Sequence, residues 1–200
     1  MPTPREILTV SDDAPPPGET PWVVPPVVQH IDVVPADPTW PARFEALAAR
    51  LRSALGGRAL AIDHVGSTSV PGLAAKPILD VDLIVADPAD EEVWLPALES
   101  DCFVLTVREP WWQGHRMLRL DAPRAHLHVF GPDAAEPWRH RIFRDHLRRS
   151  DEDRALYAET KHEVAALSNA EGEQMMEYNR RKQDVIREIY ARAFAAAGLR

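Results

Sequence analysis

The chain has 200 residues, of which 45% are hydrophobic and 27% are charged. This length and balance are typical of one folded domain with a sizeable core, and they exclude a disordered or fibrous chain. The 23 lysine and arginine residues against 31 aspartate and glutamate residues give a formal net charge of −8. Duplex nucleic acid and anionic membranes are negatively charged themselves, so this balance argues against charge-driven binding to either partner. Any site for a polyanion must be local.

Cys102 is the only cysteine, so a disulfide within the chain and a thiolate zinc cluster are both excluded. We find no export signal, and no apolar run approaches the roughly 18 residues that a membrane helix needs. We therefore expect a cytoplasmic protein with no membrane partner, and we make no prediction of its oligomeric state.

The N-terminal part of the chain is unusually rich in proline. Eleven of the 19 prolines fall within the first 41 residues. Because proline lacks a backbone N–H donor, this composition predicts a flexible tail over residues 1–28. Residues 29–200 form the predicted folded domain.

Hydrophobic periodicity predicts an alternation of strands and helices in this domain. In chain order, we expect a strand over 31–34, a helix that follows Pro41 and ends at Gly56, strands over 59–65 and 78–86, a helix over 88–99, strands over 103–107, 117–120 and 126–130, and helices over 137–149, 151–168 and 172–197. The predicted fold class is α+β, with a mixed β-sheet core and a helical C-terminal third.

Two aspartates, Asp80 and Asp82, occur in the segment with the strongest strand preference. Because side chains alternate along a strand, both carboxylates project from one face, about 7 Å apart. Hard divalent cations neutralise carboxylates that are paired in this way. The spacing indicates a metal site, and pairing with arginines is the structural alternative.

A turn precedes this strand and contains Gly66, Ser67, Thr68 and Ser69. Its hydroxyls and backbone amides are suited to surround a phosphate. Lys76 lies between the turn and the aspartate strand, where its ammonium group could reach the same phosphate.

A Gly-Ser turn followed, after 12 intervening residues, by Asp-hydrophobic-Asp resembles the signature of the nucleotidyltransferase superfamily. In that fold the turn holds the triphosphate and the acids hold Mg²⁺. The segment His-Val-Gly-Ser-Thr-Ser-Val-Pro-Gly-Leu-Ala-Ala-Lys-Pro-Ile-Leu-Asp-Val over 64–81 is similar to the hallmark segment of the GrpB family. The resemblance extends over about residues 30–195 and includes Asp37-Pro38-Thr39-Trp40, His126-Leu127-His128-Val129, the segment 143–148, and the pairs Tyr157 with Lys161 and Tyr178 with Lys182.

The resemblance implies a nucleotidyltransferase-like fold in which Asp80 and Asp82 open into one cleft near Gly66. Active nucleotidyltransferases usually carry a third acidic residue on a later strand, but this chain offers His126 and His128 there. Because imidazole is a poor ligand for Mg²⁺, two expectations remain open. Either Asp80, Asp82 and His128 hold Mg²⁺, Mn²⁺ or the softer Zn²⁺, or the site binds phosphate without transfer. The structural alternative is that one histidine is packed in the core and the other is exposed.

The sequence also offers basic residues for a phosphate. Arg141, Arg144 and Arg148 fall on one helical stripe, where they are either phosphate clamps or a solvated stripe paired with glutamates. Lys76, Lys161 and Lys182 are the only lysines among the 23 basic residues. Positions that keep lysine in so arginine-rich a chain are expected to be ones where a planar guanidinium fits badly.

Lys161 and Lys182 each follow a tyrosine by four residues on a predicted helix. A lysine on an inward stripe either extends to the surface or meets an anion. We expect at least one of the two to reach the cleft and contribute to phosphate binding.

The leading functional hypothesis is binding of a nucleotide or another phosphorylated small molecule. Metal-dependent nucleotidyl transfer by Asp80, Asp82 and His128 is its catalytic form. Some GrpB-family domains are appended to dephospho-CoA kinases, so the resemblance also implies a non-catalytic accessory or folding-assisting role for such a partner. A hydrolase with His126 or His128 as general base is a third hypothesis, but no serine or cysteine nucleophile motif supports it.

Overall fold

A five-stranded mixed β-sheet forms the centre of the computed structural model, which describes residues 1–10 and 14–199. The strands are β1 (Ala61–Val65), β2 (Leu79–Ile84), β3 (Val104–Glu109), β4 (His115–Asp121) and β5 (Arg124–Phe130). Their order across the sheet is β1-β2-β5-β4-β3. The β2–β5 pair is parallel and the other neighbouring pairs are antiparallel. The sheet confirms the predicted α+β class.

Seven α-helices accompany the sheet within these residues. They are α1 (Pro4–Leu8), α2 (Trp40–Leu55), α3 (Glu91–Glu99), α4 (Glu136–Arg149), α5 (Asp151–Glu171), α6 (Met175–Arg181) and α7 (Gln183–Ala196). In the part of the chain that the structure describes, no helix is long and apolar enough to cross a membrane.

Alternation along β2 separates an apolar face of the sheet from a polar face. Val81 and Leu83 are fully buried and belong to the main core, together with Leu47 and Leu51 of α2. Burial of such side chains removes apolar surface from water and stabilises the fold by about 25 cal/mol per Å². The opposite face carries the aspartates of β2 and is contacted by α4, whose His140 reaches Asp82.

The predicted single helix over 172–197 is wrong, because the structure divides it into α6 and α7. The break falls at Lys182, whose backbone N–H donates to the carbonyl of Asn179 three residues earlier, at 3.2 Å. A hydrogen bond of this spacing tightens the chain into a turn and interrupts the α-helical pattern. The predicted strand over 31–34 is also shorter than expected, since only Val34 forms an isolated bridge, with Ala75.

Two described parts of the Pro-rich N-terminal segment contact the rest of the protein, while the flexibility that its composition predicts stays a prediction. Ile7 of α1 packs with Ala135 and Phe194. The buried Arg139 of α4 donates hydrogen bonds to main-chain carbonyls at the end of α1, including that of Ile7 at 2.8 Å. Further along, Trp22 pairs with the edge strand β3. The domain boundary at residue 28 stays a prediction, and residues 11–13 of this segment lie outside the described residues.

Candidate functional site

Asp80 lies at the centre of the polar face, on the strand between β1 and β5. It pairs with Val65 of β1 and with His126 of β5. Asp82, two residues further, pairs with His128 in the same register. Because residues in register project from the same side of a sheet, the two aspartates and the two histidines share one face.

Gly66 brings the Gly-Ser turn directly against Asp80. Its φ is +65°, and a Cβ at this position would lie within 2.9 Å of three atoms of the Asp80 side chain. Residues other than glycine rarely adopt this backbone conformation, and a side chain at this position would collide with Asp80. The turn and the aspartate strand are therefore adjacent, as their spacing in the sequence indicates.

The hydroxyls of the turn serve different purposes. Thr68 Oγ1 lies 3.0 Å from His64 Nε2, and Ser69 Oγ donates to the carbonyl of Gly66 at 2.5 Å. Both hydroxyls hold the turn together, and phosphate binding by them stays a prediction. Ser67 is half-buried, and its side chain lies near the phenol of Tyr157.

All three lysines of the chain lie near enough to Asp80 and to one another for their charges to interact. Lys76 precedes β2, Lys161 lies on α5 and Lys182 lies between α6 and α7. The positive charges of Lys76 and Lys161 act to lower the pKa of Lys182, whereas the negative charge of Asp80 raises it. Likewise, the positive charge of Lys76 acts to lower the pKa of Lys161, and the negative charge of Asp80 acts to raise it. The three ammonium groups and the carboxylate form what we call the lysine cluster.

Burial is the main influence on the charges of this cluster. Lys161 is 3% exposed and Lys182 is 6% exposed, and desolvation lowers the pKa of each to about 7. Burial raises the pKa of Asp80, but the hydrogen bond to His126 and neighbouring positive charges lower it to about 2. Near neutral pH the cluster thus contains one carboxylate and three amines that are at least partly protonated. The positive charge that the carboxylate does not balance is unfavourable in a buried place unless a further anion is bound.

Each buried lysine lies over the ring of the tyrosine four residues before it. Lys161 Nζ is 4.6 Å from the centroid of Tyr157, and Lys182 Nζ is 4.1 Å from that of Tyr178. Lys76 Nζ lies 5.2 Å from the Tyr178 ring. Attraction between ammonium and ring offsets part of the desolvation cost. Tyr178 itself is fully buried, and its hydroxyl has no hydrogen-bond partner among the described residues.

Arg144 and Arg148 of α4 contact the backbone on the two sides of Gly66. Arg144 Nη1 donates to the carbonyl of His64 at 2.9 Å, and Arg148 Nη2 donates to that of Ser69 at 2.7 Å. In this arrangement the two guanidinium groups position the turn. Direct binding of phosphate by these arginines stays a prediction. Arg141, on the same stripe, lies against the Trp138 ring at 4.3 Å.

His128 of β5 belongs to a hydrogen-bonded chain of side chains. His128 Nδ1 lies 3.0 Å from His115 Nε2, and His115 Nδ1 lies 2.8 Å from Glu109. If His115 is neutral and donates a hydrogen bond from Nδ1 to the carboxylate, its Nε2 accepts a hydrogen bond from the N–H of His128 Nδ1. His128 Nε2 then carries a lone pair. Burial holds the pKa of His128 well below its usual value, which favours this neutral form.

Asp82 forms a buried ion pair that the sequence did not indicate. It is 0% exposed, and its two carboxylate oxygens lie 3.1 and 2.9 Å from His140 Nδ1. Burial lowers the pKa of His140, but the Asp82 carboxylate outweighs it and raises the pKa to about 9. His140 and His115 are the functional-face residues that sequence reasoning missed. His115 shares a face with His128 across β4 and β5, but this register is visible only in the structure.

The residues predicted to hold a metal ion are engaged with different partners. Asp80 faces His126, Asp82 faces His140 and His128 faces His115. Among residues 1–10 and 14–199, no three histidine, cysteine, aspartate or glutamate side chains are arranged to hold a metal ion. The observed geometry therefore does not fit a metal site on Asp80, Asp82 and His128. Binding of Mg²⁺, Mn²⁺ or Zn²⁺ there requires these side chains to rearrange, and it stays a prediction.

The Asp82–His140 pair predicts a defined pH dependence of stability. The pKa of His140 is about 9 in the folded protein and about 6.5 in an unfolded chain. The pair therefore contributes its full stability below about pH 6.5, and this contribution is lost as the pH rises through about 9. Replacing His140 by glutamine should lower the free energy of unfolding by roughly 3 kcal/mol at pH 6 and by much less at pH 10. Urea denaturation of both proteins at the two pH values measures this, and an equal loss at both would contradict the ion pair.

The fold and the site together define an α+β protein with a nucleotidyltransferase-like fold, in which a Gly-Ser turn lies against an aspartate of the next strand. The family model described as GrpB protein matches residues 30–192. The crystal structure of the conserved protein GrpB from Enterococcus faecalis superposes with a TM-score of 0.72. That comparison has 30% sequence identity and covers 83% of this chain and 99% of the other. The chain belongs to the GrpB family.

Curated relatives agree with this assignment. UPF0157 protein BH1888 of Halalkalibacterium halodurans is 44% identical over 159 residues, which are 80% of each chain. UPF0157 protein SCO7215 of Streptomyces coelicolor is 42% identical over 160 residues, covering 80% of this chain and 82% of the relative. A dephospho-CoA kinase of Mycolicibacterium paratuberculosis is 46% identical over 68 residues, which are 32% of this chain and 17% of the enzyme.

Proposed function

We propose that this protein binds a nucleotide or another phosphorylated small molecule at the lysine cluster. The observation that supports this most is the grouping of the three lysines near a single carboxylate, with Lys76 and Lys182 over the ring of the fully buried Tyr178. The Tyr178 hydroxyl has no hydrogen-bond partner among the described residues. Excess positive charge is costly in a buried place. A phosphate group would supply both the missing negative charge and several hydrogen-bond acceptors.

The arrangement assigns different tasks to the residues around the phosphate. The amines of Lys76 and Lys161 donate to phosphate oxygens, and Lys182 and the Tyr178 hydroxyl provide further donors to the bound compound. Asp80 offsets part of the positive charge of the lysines and repels an anion that enters too far. The Gly66 turn, which Arg144 and Arg148 position, closes this side of the site.

Nucleotidyl transfer is the catalytic form of this proposal, and the nucleotidyltransferase-like fold supports it. Transfer requires a group that accepts the proton of an attacking hydroxyl. His128 Nε2 is suited to this role in the neutral form described above. Asp80 pairs with His126, and His128 lies two residues further along β5. Because side chains alternate along a strand, the proposed base His128 is on the same face of the sheet as Asp80.

Thermal unfolding with added phosphate compounds tests the binding proposal. Inorganic phosphate, pyrophosphate and nucleoside triphosphates should each raise the melting temperature in a saturable manner, whereas sodium chloride at equal ionic strength should not. A ligand at 100 times its Kd stabilises the folded state by about 2.7 kcal/mol. If no phosphate compound shifts the melting temperature at millimolar concentration, the proposal is wrong.

The similarity to dephospho-CoA kinases favours a second candidate, an accessory domain for such an enzyme. The matching segments span 64 to 68 residues. They make up 16 to 17% of the length of the kinases. An accessory surface has no need of buried lysines. Coexpression with a separate dephospho-CoA kinase distinguishes the two. The accessory role predicts a yield of active kinase that is higher with this protein than without it, and equal for the wild type and a Lys161→Met, Lys182→Met variant.

A further inference from the structure

We propose that Lys182 is a nucleophilic amine that forms an imine with a phosphorylated aldehyde or ketone bound in the lysine cluster. The inference rests on the proposed function, because the phosphate group would hold the carbonyl carbon near the amine. It goes further by naming a carbonyl compound as the ligand class and by assigning a covalent role to one lysine.

The contacts of the three lysines distinguish Lys182 from the other two. Lys161 Nζ donates a hydrogen bond to the main-chain carbonyl of Ala74. Lys76 Nζ lies 2.9 Å from the sulfur of Met175. In the described part of the chain, Lys182 Nζ has the ring of Tyr178 beside it and no hydrogen-bond partner. Its amine is therefore the one that is free to bond with a ligand atom.

The surroundings of Lys182 also favour the neutral, nucleophilic form of the amine. Lysines become nucleophilic when they are desolvated or lie next to another cationic group. Lys182 satisfies both conditions, because it is 6% exposed and the charges of Lys76 and Lys161 act on it. An ordinary lysine is well under 1% neutral near pH 7, whereas burial lowers the pKa of Lys182 to about 7.

The proposed step balances without any co-reactant. The Nζ lone pair attacks the carbonyl carbon, a C–N bond forms, and the carbonyl electron pair moves to the oxygen. The oxygen then leaves as water with the two protons that the amine loses, and a C=N bond remains. Burial raises the pKa of the Tyr178 hydroxyl, so this group stays protonated and can hydrogen-bond to the carbonyl oxygen.

Reductive trapping of the full chain tests this assignment. The protein is incubated with glyceraldehyde 3-phosphate and sodium cyanoborohydride, which converts an imine into a stable amine, and peptide mass spectrometry locates the adduct. Only three lysines and the α-amine of Met1 can react, and Met1 is an exposed internal reference. A variant Arg52→Lys adds an ordinary exposed lysine on α2 as a second reference.

The expected result is labelling of Lys182 at least 10-fold faster than labelling of Met1 or of position 52. Glyceraldehyde without phosphate should lose most of this preference, and Lys182→Arg should lose the adduct at that position. Equal labelling of all amines, or equal labelling of Lys182 by both aldehydes, overturns the inference. If inorganic phosphate still raises the melting temperature in that case, the proposed function stands; if it does not, both proposals fail.

Discussion

Replacing Lys182 by methionine should stabilise the ligand-free protein and at the same time abolish its stabilisation by phosphate. The methionine side chain has a similar length and no charge, so it removes the cost of a buried amine that lies beside two others. Replacement of whole buried ion pairs by apolar side chains has stabilised other proteins by about 1–4 kcal/mol. We expect a gain of this order here, because Lys76 and Lys161 remain near Asp80 when Lys182 is removed. For a chain of this size, such a change corresponds to a melting temperature several degrees higher.

The pH dependence gives this prediction a second signature. The pKa of Lys182 is about 7 in the folded state and about 10.4 in an unfolded chain. Between these values the unfolded state binds more protons, so this group makes wild-type stability increase with pH. The stabilising effect of Lys182→Met should therefore be largest below pH 7 and should disappear towards pH 10.5.

Differential scanning calorimetry with and without pyrophosphate measures both effects. Arg52→Met is the matched control, because it removes one positive charge from the exposed face of α2. The control should leave both the melting temperature and the pyrophosphate shift close to those of the wild type. A Lys182→Met protein that pyrophosphate still stabilises fully would show that the lysine cluster is not the phosphate site.

Replacing Gly66 by alanine should destabilise the protein far more than the same change at Gly56. Both glycines have a positive φ, +65° and +55°, so alanine is strained at either position, by about 1–3 kcal/mol. At Gly56 a Cβ would meet nothing within 4 Å, whereas at Gly66 it would collide with the Asp80 side chain. Overpacking of this kind adds about 1–3 kcal/mol. The expected total loss is therefore roughly 2–6 kcal/mol at Gly66.

Urea denaturation of the two variants measures the difference, and the phosphate-induced shift of each reports on the site. Gly56→Ala should bind phosphate like the wild type, because this residue follows α2 and contacts none of the site residues. Gly66→Ala should bind weakly, because the turn or Asp80 must move to make room for the methyl group. Equal losses of stability in the two variants would mean that the close approach of the turn to Asp80 does not contribute.

Local patterns in the sequence were sufficient to predict the α+β class and the central features of the polar face. The side-chain period of two places Asp80 and Asp82 on the same face of β2. The Gly-Ser turn lies against Asp80, as the resemblance to nucleotidyltransferases implies. The scarcity of lysine directed attention to three residues that the structure brings together. Each of these inferences depends on spacing along the chain or on composition.

The tertiary structure alone decided which partner each polar group meets. Asp82 pairs with His140, which is 58 residues away in the sequence, and so it does not face open space as the metal hypothesis requires. Arg144 and Arg148 contact backbone carbonyls about 80 residues earlier. The turn at Lys182 depends on a local hydrogen bond that hydrophobic periodicity does not reveal, so periodicity predicts one helix where there are two. Spacing and periodicity describe one element at a time, whereas these contacts depend on which helix packs on which face of the sheet, and that arrangement is set by the burial of the whole core.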